Sequence, residues 1–145
     1  MVWKPHATVA AVIERDNKFL MVEEVIDGHR VFNQPAGHLE DGESLQKAII
    51  REVKEETAWT FKPHGILGIY LWQHPIKLNT YMRTSFFGDV NDHDSAQMLD
   101  SVIVAADWYS RVELASMNLR SPMVLHNIDD YLSGQKYPLE LLKYV

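Results

Sequence analysis

Gly37-His38-Leu39-Glu40-Asp41-Gly42-Glu43-Ser44, followed by Leu45-Gln46-Lys47-Ala48-Ile49-Ile50-Arg51-Glu52-Val53-Lys54-Glu55-Glu56-Thr57-Ala58-Trp59, passes from a glycine-bearing loop into a helix. Ser44 is a good N-cap, since its hydroxyl accepts from a free N–H of the first turn, and the helix continues to about Thr57. At about 100° per residue, Leu45, Ala48, Ile49 and Val53 form one apolar stripe that faces the core. Glu52 and Glu56 project into that stripe, and Glu55 lies beside it. Residues three and four apart on a helix are neighbours, roughly 5–6 Å between Cβ atoms, so these carboxylates crowd one another. They also occupy the last turns, where the helix dipole disfavours negative charge. Crowding, partial burial and the wrong helix end all raise the free energy of the ionised acids. A multivalent cation that prefers oxygen, Mg²⁺ above all, reverses all three effects. The competing reading is a solvated glutamate-rich face with Lys47, Arg51 and Lys54 nearby. The inward placement of the acids favours metal.

The loop itself mimics a phosphate-binding loop, G-x-x-x-x-G-K-[ST], from Gly37 to Ser44. Glu43 stands where that motif needs Lys, and a carboxylate there repels phosphate. The nucleotide-triphosphatase phosphate loop is therefore rejected.

Outward from this segment, Ala7–Glu14 and Lys18–Val25 read as strands joined by a turn at Asp16-Asn17-Lys18. A turn at Asp27-Gly28 leads to a short strand at Arg30–Phe32. Pro35, Gly37 and Gly42 mark Asn33–Glu43 as loop. Beyond the helix, strands are expected near Gly65–Trp72, Tyr81–Val90 and Val102–Tyr109, with a polar loop at Asn91–Asp100. Arg111–Ala115 reads as a short helix. Ser121–Leu132 reads as a longer one, with Pro122 in its first turn and Gly134 as its stop. Strands and helices mix without a regular βαβ beat, which gives the α+β class with a mixed sheet between helices, an α/β/α sandwich.

At 145 residues the chain has the size of one domain, 1–145, with no repeat or linker. Its 46% hydrophobic and 23% charged residues exclude disorder, collagen and coiled coil. A net charge of -6 makes it a poor binder of nucleic acid or anionic membrane, so phosphate chemistry requires a recruited cation. With no cysteine, disulfides, zinc–thiolate sites and thiol catalysis are out. No signal peptide or span is visible, and the expectation is a soluble cytoplasmic protein.

Gly37, five residues, Glu43, seven residues, then Arg51-Glu52-Val53-Lys54-Glu55-Glu56-Thr57-Ala58-Trp59 resembles the Nudix box, G-x5-E-x7-R-E-U-x-E-E-x-G-U. Every position matches except Ala58, where the family has Gly. The resemblance implies the Nudix fold and hydrolysis of a diphosphate linked to another moiety. It implies Glu52, Glu55 and Glu56 as metal ligands, the Gly37 carbonyl as a backbone ligand, and Arg51 with Glu43 as the pair orienting Glu52, the expected catalytic base. Mg²⁺ is the implied cofactor, with Mn²⁺ as a substitute. Lys4-Pro5-His6, Asn33–Glu40, Asn118–Pro122, Ser133–Gln135 and Tyr137–Glu140 extend the resemblance to a bacterial phosphatase branch. That branch implies nucleoside tri- and diphosphates, thiamine pyrophosphate and hydroxymethylpyrimidine diphosphate as substrates, and a small-molecule partner only.

Two departures carry expectations. Ala58 replaces the glycine that ends the box helix in a left-handed conformation, costing roughly 1 kcal/mol, and is expected to alter the helix exit. Many family members supply a further acid before the late strand. Here Val102 and Val104 take the nearest positions, leaving Asp100, with Asp94 and Asp92, as candidates; Asp100 is retained as a metal ligand.

Outside the box, Arg83 and Arg120 are candidates to hold a phosphate bidentately or to form rim salt bridges. Phe32 and Trp72 are candidates to stack on a substrate ring, with Trp3 and Tyr81 also considered. The seven histidines show no metal spacing. Asn118–Pro122 and the Tyr137–Glu140 tail are expected to pack the last helix, with a pocket wall as the alternative. The tail also leaves monomer and homodimer both open. Two other functions stay open: a nucleotide-binding module of the same fold with little turnover, and hydrolysis of ADP-ribose or dinucleoside polyphosphates.

Overall fold

The fold is described from a computed structural model of residues 1–145. Strands β1 (His6–Arg15) and β2 (Lys18–Ile26) meet at Asp16-Asn17, and β2 turns into β3 (His29–Asn33) at Asp27-Gly28. All four turn residues have positive φ, between 50° and 78°. Two such residues in a row make the tight turn whose twist matches a right-handed hairpin, and Asn, Asp and Gly tolerate it best. The registers follow: Arg15 opposite Lys18, and Ile26 opposite His29.

The expected Asn33–Glu43 loop is interrupted by a short strand, β4 (Ala36–His38). β1 pairs with β2 only at its far end, Glu14 and Arg15, which leaves the Thr8–Ala10 backbone bare on that side. β4 fills the gap, pairing His38 with Thr8 and Ala36 with Ala10. Buried backbone groups must find partners, and this demand outweighs the loop-forming composition.

After helix α1 (Leu45–Thr57) come β5 (Thr60–Gln73), β6 (Thr80–Asn91) and β7 (Ile103–Ser110). β5 starts earlier than its composition predicts, because Pro63 is accommodated at a register shift between Pro63 and Gly65. The sheet runs β3-β2-β1-β6-β5, with β4 also paired to β1 and β7 to β2. β1 and β6 are parallel and the other pairs antiparallel, so the sheet is mixed.

Helices cover both faces. Val9, Ala11 and Ile13 of β1 join Ile49 and Val53 of α1 in one core. Val12, Phe19 and Met21 join Val124 and Ile128 of α3 (Met123–Leu132) in the other. The period of two along β1 explains why its apolar run is continuous, since both faces are buried. Helix α2 (Arg111–Leu114) is one turn, closed by a reciprocal cap between Ser110 and Glu113.

Ala58 takes the left-handed conformation itself, with φ 63°, and its N–H donates to the Lys54 carbonyl. The helix exit is therefore that of the glycine-ended motif, contrary to the sequence expectation. Ala58 is buried, and its carbonyl accepts from the Asp94 N–H at 3.0 Å, contacts that hold the alanine in this strained state. Ala58→Gly should release about 1 kcal/mol and raise the melting temperature by roughly 3 °C. Thermal unfolding at one pH, with and without the substitution, checks this.

Candidate active site

The N-cap forms as expected, with Ser44 Oγ accepting from the Lys47 N–H. The helical wheel then delivers Glu52 and Glu56 to the buried side, at 8% and 6% exposure. Glu55 stays at the margin. Arg51 organises the surrounding acids. Its guanidinium donates to both carboxylate oxygens of Glu43, at 2.6 and 3.1 Å, to Glu52 at 2.7 Å and to Glu55 at 3.2 Å. It also donates to the His38 carbonyl at 3.1 Å, tying helix to loop. The paired charges raise the Arg51 pKa and hold the Glu43 carboxyl below its usual range.

Glu52 is pushed the other way. Burial raises its pKa, and the Arg51 bond only partly offsets this. Glu56 is raised further, to about 9, first by burial and then by the charges of Glu52, Glu24 and Asp100. The Ala36 N–H, at 2.9 Å, is its one stabilising donor. Gly37 lies so close to Glu52 that a Cβ built on it would overlap the Glu52 carboxyl, so no side chain fits there without displacing that group. Absence of a Cβ, rather than an unusual φ, is what this position requires.

The fourth acid arrives from the other side of the helix end. The last turn of α1 leaves carbonyls without helical partners. Donors of the following loop meet them: Gln97 Nε2 the Lys54 carbonyl at 2.6 Å, the Asp100 N–H the Glu55 carbonyl at 3.1 Å, and the Asp94 N–H the Ala58 carbonyl at 3.0 Å. This lashing brings Asp100 to the box. Glu52, Glu55 and Asp100 each offer a carboxylate oxygen, all within 4.8 Å of one another. Three acid oxygens at that separation make a hard donor set, suited to a divalent cation that takes oxygen ligands.

Of these three acids, Glu52 reaches the wall of a cavity of about 780 Å³. Gly37 and Glu56 line it beside Glu52, and Trp72, Tyr81 and Lys77 line it as well. Trp72 stacks on Tyr81, ring centres 6.0 Å apart. Asn118–Ser121 form a wall of the cavity instead of only packing the last helix: Leu119 bridges to Phe32, and Arg120 donates to buried Glu24 at 2.7 Å. The tail does not pack on the last helix as expected: Tyr137 bridges to Ile66 of β5, and Leu139 and Leu142 pack against the α1 core on the other face of the sheet.

One substrate candidate needs correction. Phe32 is not on the cavity wall; its ring packs edge-on against Tyr109 at 5.6 Å. Alternation along β3 turns Val31 and Asn33 into the cavity and Phe32 away from it. Arg83 does reach the cavity, at 4% exposure, but its Nη1 and Nη2 are already engaged, while its Nε is buried without a partner. It donates to Gln34 Oε1 at 3.0 Å, Asn127 Oδ1 at 3.2 Å and Asn33 Oδ1 at 3.0 Å. Three amides thus orient this guanidinium. Asn33, Glu24 and Gln34 went unread in the sequence because only the β2–β3 pairing and Arg83 bring them together.

Residues 4–128 match the NUDIX domain family. The chain is 42% identical over 142 residues to the phosphatase NudJ of Escherichia coli strain K12, covering 97% of this chain and 92% of that protein. It is 47% identical to a NUDIX hydrolase from Nitrosomonas europaea, whose structure superimposes with a TM-score of 0.92 over 98% of both chains. The NUDIX domain of Shewanella oneidensis NrtR, solved with ADP ribose, shares the fold at a TM-score of 0.72 and 16% identity, over 90% of each chain. With the box acids gathered on one helix and the likeness running nearly end to end, the chain belongs to the NUDIX domain family, as a hydrolase of phosphoric anhydrides.

Proposed function

We propose that the chain is a Mg²⁺-dependent phosphatase and pyrophosphohydrolase of nucleoside tri- and diphosphates, extending to thiamine pyrophosphate and hydroxymethylpyrimidine diphosphate. It acts as a single domain, as monomer or homodimer, in the cytoplasm. The observation that carries this reading is the meeting of Glu52, Glu55 and Asp100 within 4.8 Å, with Glu52 also lining a cavity of about 780 Å³. A cavity of that size takes a ligand of nucleotide dimensions.

Glu52, Glu55, Glu56 and Asp100, with the Gly37 carbonyl, would hold Mg²⁺, and Mn²⁺ suits the same donors. Bound metal supplies neutralisation of phosphate charge and polarisation of water. Glu52, fixed by Arg51, accepts the proton of the water that attacks phosphorus. Arg51, fixed in turn by both oxygens of Glu43, keeps the Glu52 carboxylate aimed while its charge changes. Trp72 offers its face to the ring of the substrate.

The test is phosphate release from that panel plus ADP-ribose, with Mg²⁺, Mn²⁺ or EDTA. Metal-dependent release that ranks nucleotides or the pyrimidine diphosphates first is expected. Tight nucleotide binding without release overturns the reading in favour of a binding module, and a preference for ADP-ribose replaces the substrate class.

A further inference from the structure

Glu24 is a carboxylate buried in the cavity wall, on β2 and outside the box, near enough for its charge to act on Glu56. Arg120 donates to its Oε2 at 2.7 Å, and its Oε1 receives no protein donor. Glu24 pairs with Val31, and Val22 with Asn33, so Glu24 and Asn33 are diagonal neighbours on the same face of the β2–β3 hairpin.

Asn33 is more than nine-tenths buried. Its Oδ1 accepts from Arg83 Nη2 at 3.0 Å. A guanidinium has only donors, so the amide facing it must present oxygen. Arg83 thereby fixes which way round the Asn33 carboxamide lies. Its Nδ2 meets no protein acceptor and lies at the cavity wall. Both residues line the cavity, so an acceptor and an orientated donor on one face of the hairpin are free to meet a ligand there.

We propose that Glu24 and Asn33 read the edge of the substrate's heterocycle: Glu24 Oε1 accepts an N–H, and Asn33 Nδ2 donates to the acceptor next to it. This deepens the proposed function and rests on it for the presence of a ring. The edge required, a donor beside an acceptor, occurs on amino-azines such as cytosine, adenine and 4-aminopyrimidines, and on lactams such as uracil. Arg83 serves as the positioning residue behind the pair.

The first arm uses cytidine and uridine, which carry no phosphate, in EDTA, with binding followed by saturation-transfer NMR. Wild-type protein should bind one or both, which tells amino-azine from lactam. Asn33→Asp, which keeps the oxygen toward Arg83 but exchanges the donor for an acceptor, should weaken that binding about tenfold or more. Glu24→Gln should also weaken it. Circular dichroism confirms that each variant is folded. The second arm measures CDP and UDP turnover with Mg²⁺, where a raised KM with little change in kcat is expected for both variants. Absence of nucleoside binding to wild type, or binding unchanged in both variants, overturns the pair even if turnover stands. Nucleoside binding that behaves as expected in a protein without turnover supports the pair and sinks only the catalytic reading.

Discussion

Glu52→Gln should lower Mg²⁺-dependent phosphate release on the order of 10³-fold while leaving the protein folded. The substitution keeps the shape of the side chain, and its amide oxygen still accepts from Arg51 Nη1, as Glu52 does at 2.7 Å. What it removes is the basic oxygen and one negative charge at the point where Glu55 and Asp100 converge. Steady-state rates at saturating substrate and Mg²⁺, with unchanged circular dichroism, give the measurement. Release at the wild-type rate would remove Glu52 from the chemistry.

The second large effect concerns stability without metal. Glu56 has its pKa raised from 4.5 to about 9 by burial, with the nearby acids adding to the shift. Between those values the folded protein holds a proton that the unfolded chain has lost. The native state therefore loses stability as pH rises through this window, and all of the effect is absent below about pH 4.5. At pH 7 the penalty is about 3 kcal/mol, since each pH unit above 4.5 contributes about 1.4 kcal/mol. In EDTA, Glu56→Gln should recover most of it, because the glutamine oxygen still accepts the Ala36 N–H. Denaturant unfolding of both proteins from pH 5 to 8 should show the difference growing with pH. Saturating Mg²⁺ should shrink it, since a bound cation stabilises the ionised glutamate. A difference that does not change with pH would show that Glu56 is ionised throughout.

The box helix was legible because its information is local. Period 3.6 alone places Glu52 and Glu56 on the buried side, and the match to the Nudix box names Arg51 and Glu43. The hairpin turns were legible for the same reason, from Asp16-Asn17 and Asp27-Gly28. Failures came where distant segments decide. Phe32 looked like a stacking residue because an aromatic in a strand carries no mark of which face it joins. Arg83 looked free because its partners lie 44 to 50 residues away along the chain. β4 was hidden because the demand for it sits on β1. Asp100 could be retained as a candidate from its position in the chain. Its meeting with Glu52 and Glu55 depends on backbone bonds from the loop to the end of α1.

Gly37 belongs to β4, and β4 is hydrogen-bonded along β1 in the middle of the sheet. The backbone around this part of the site is thus hydrogen-bonded to a central strand of the sheet. Its amide hydrogens should exchange with solvent only when the sheet itself opens, and just as slowly in EDTA as in Mg²⁺. A cation entering such a site orders little backbone, so little of its binding free energy is consumed in folding a loop around it.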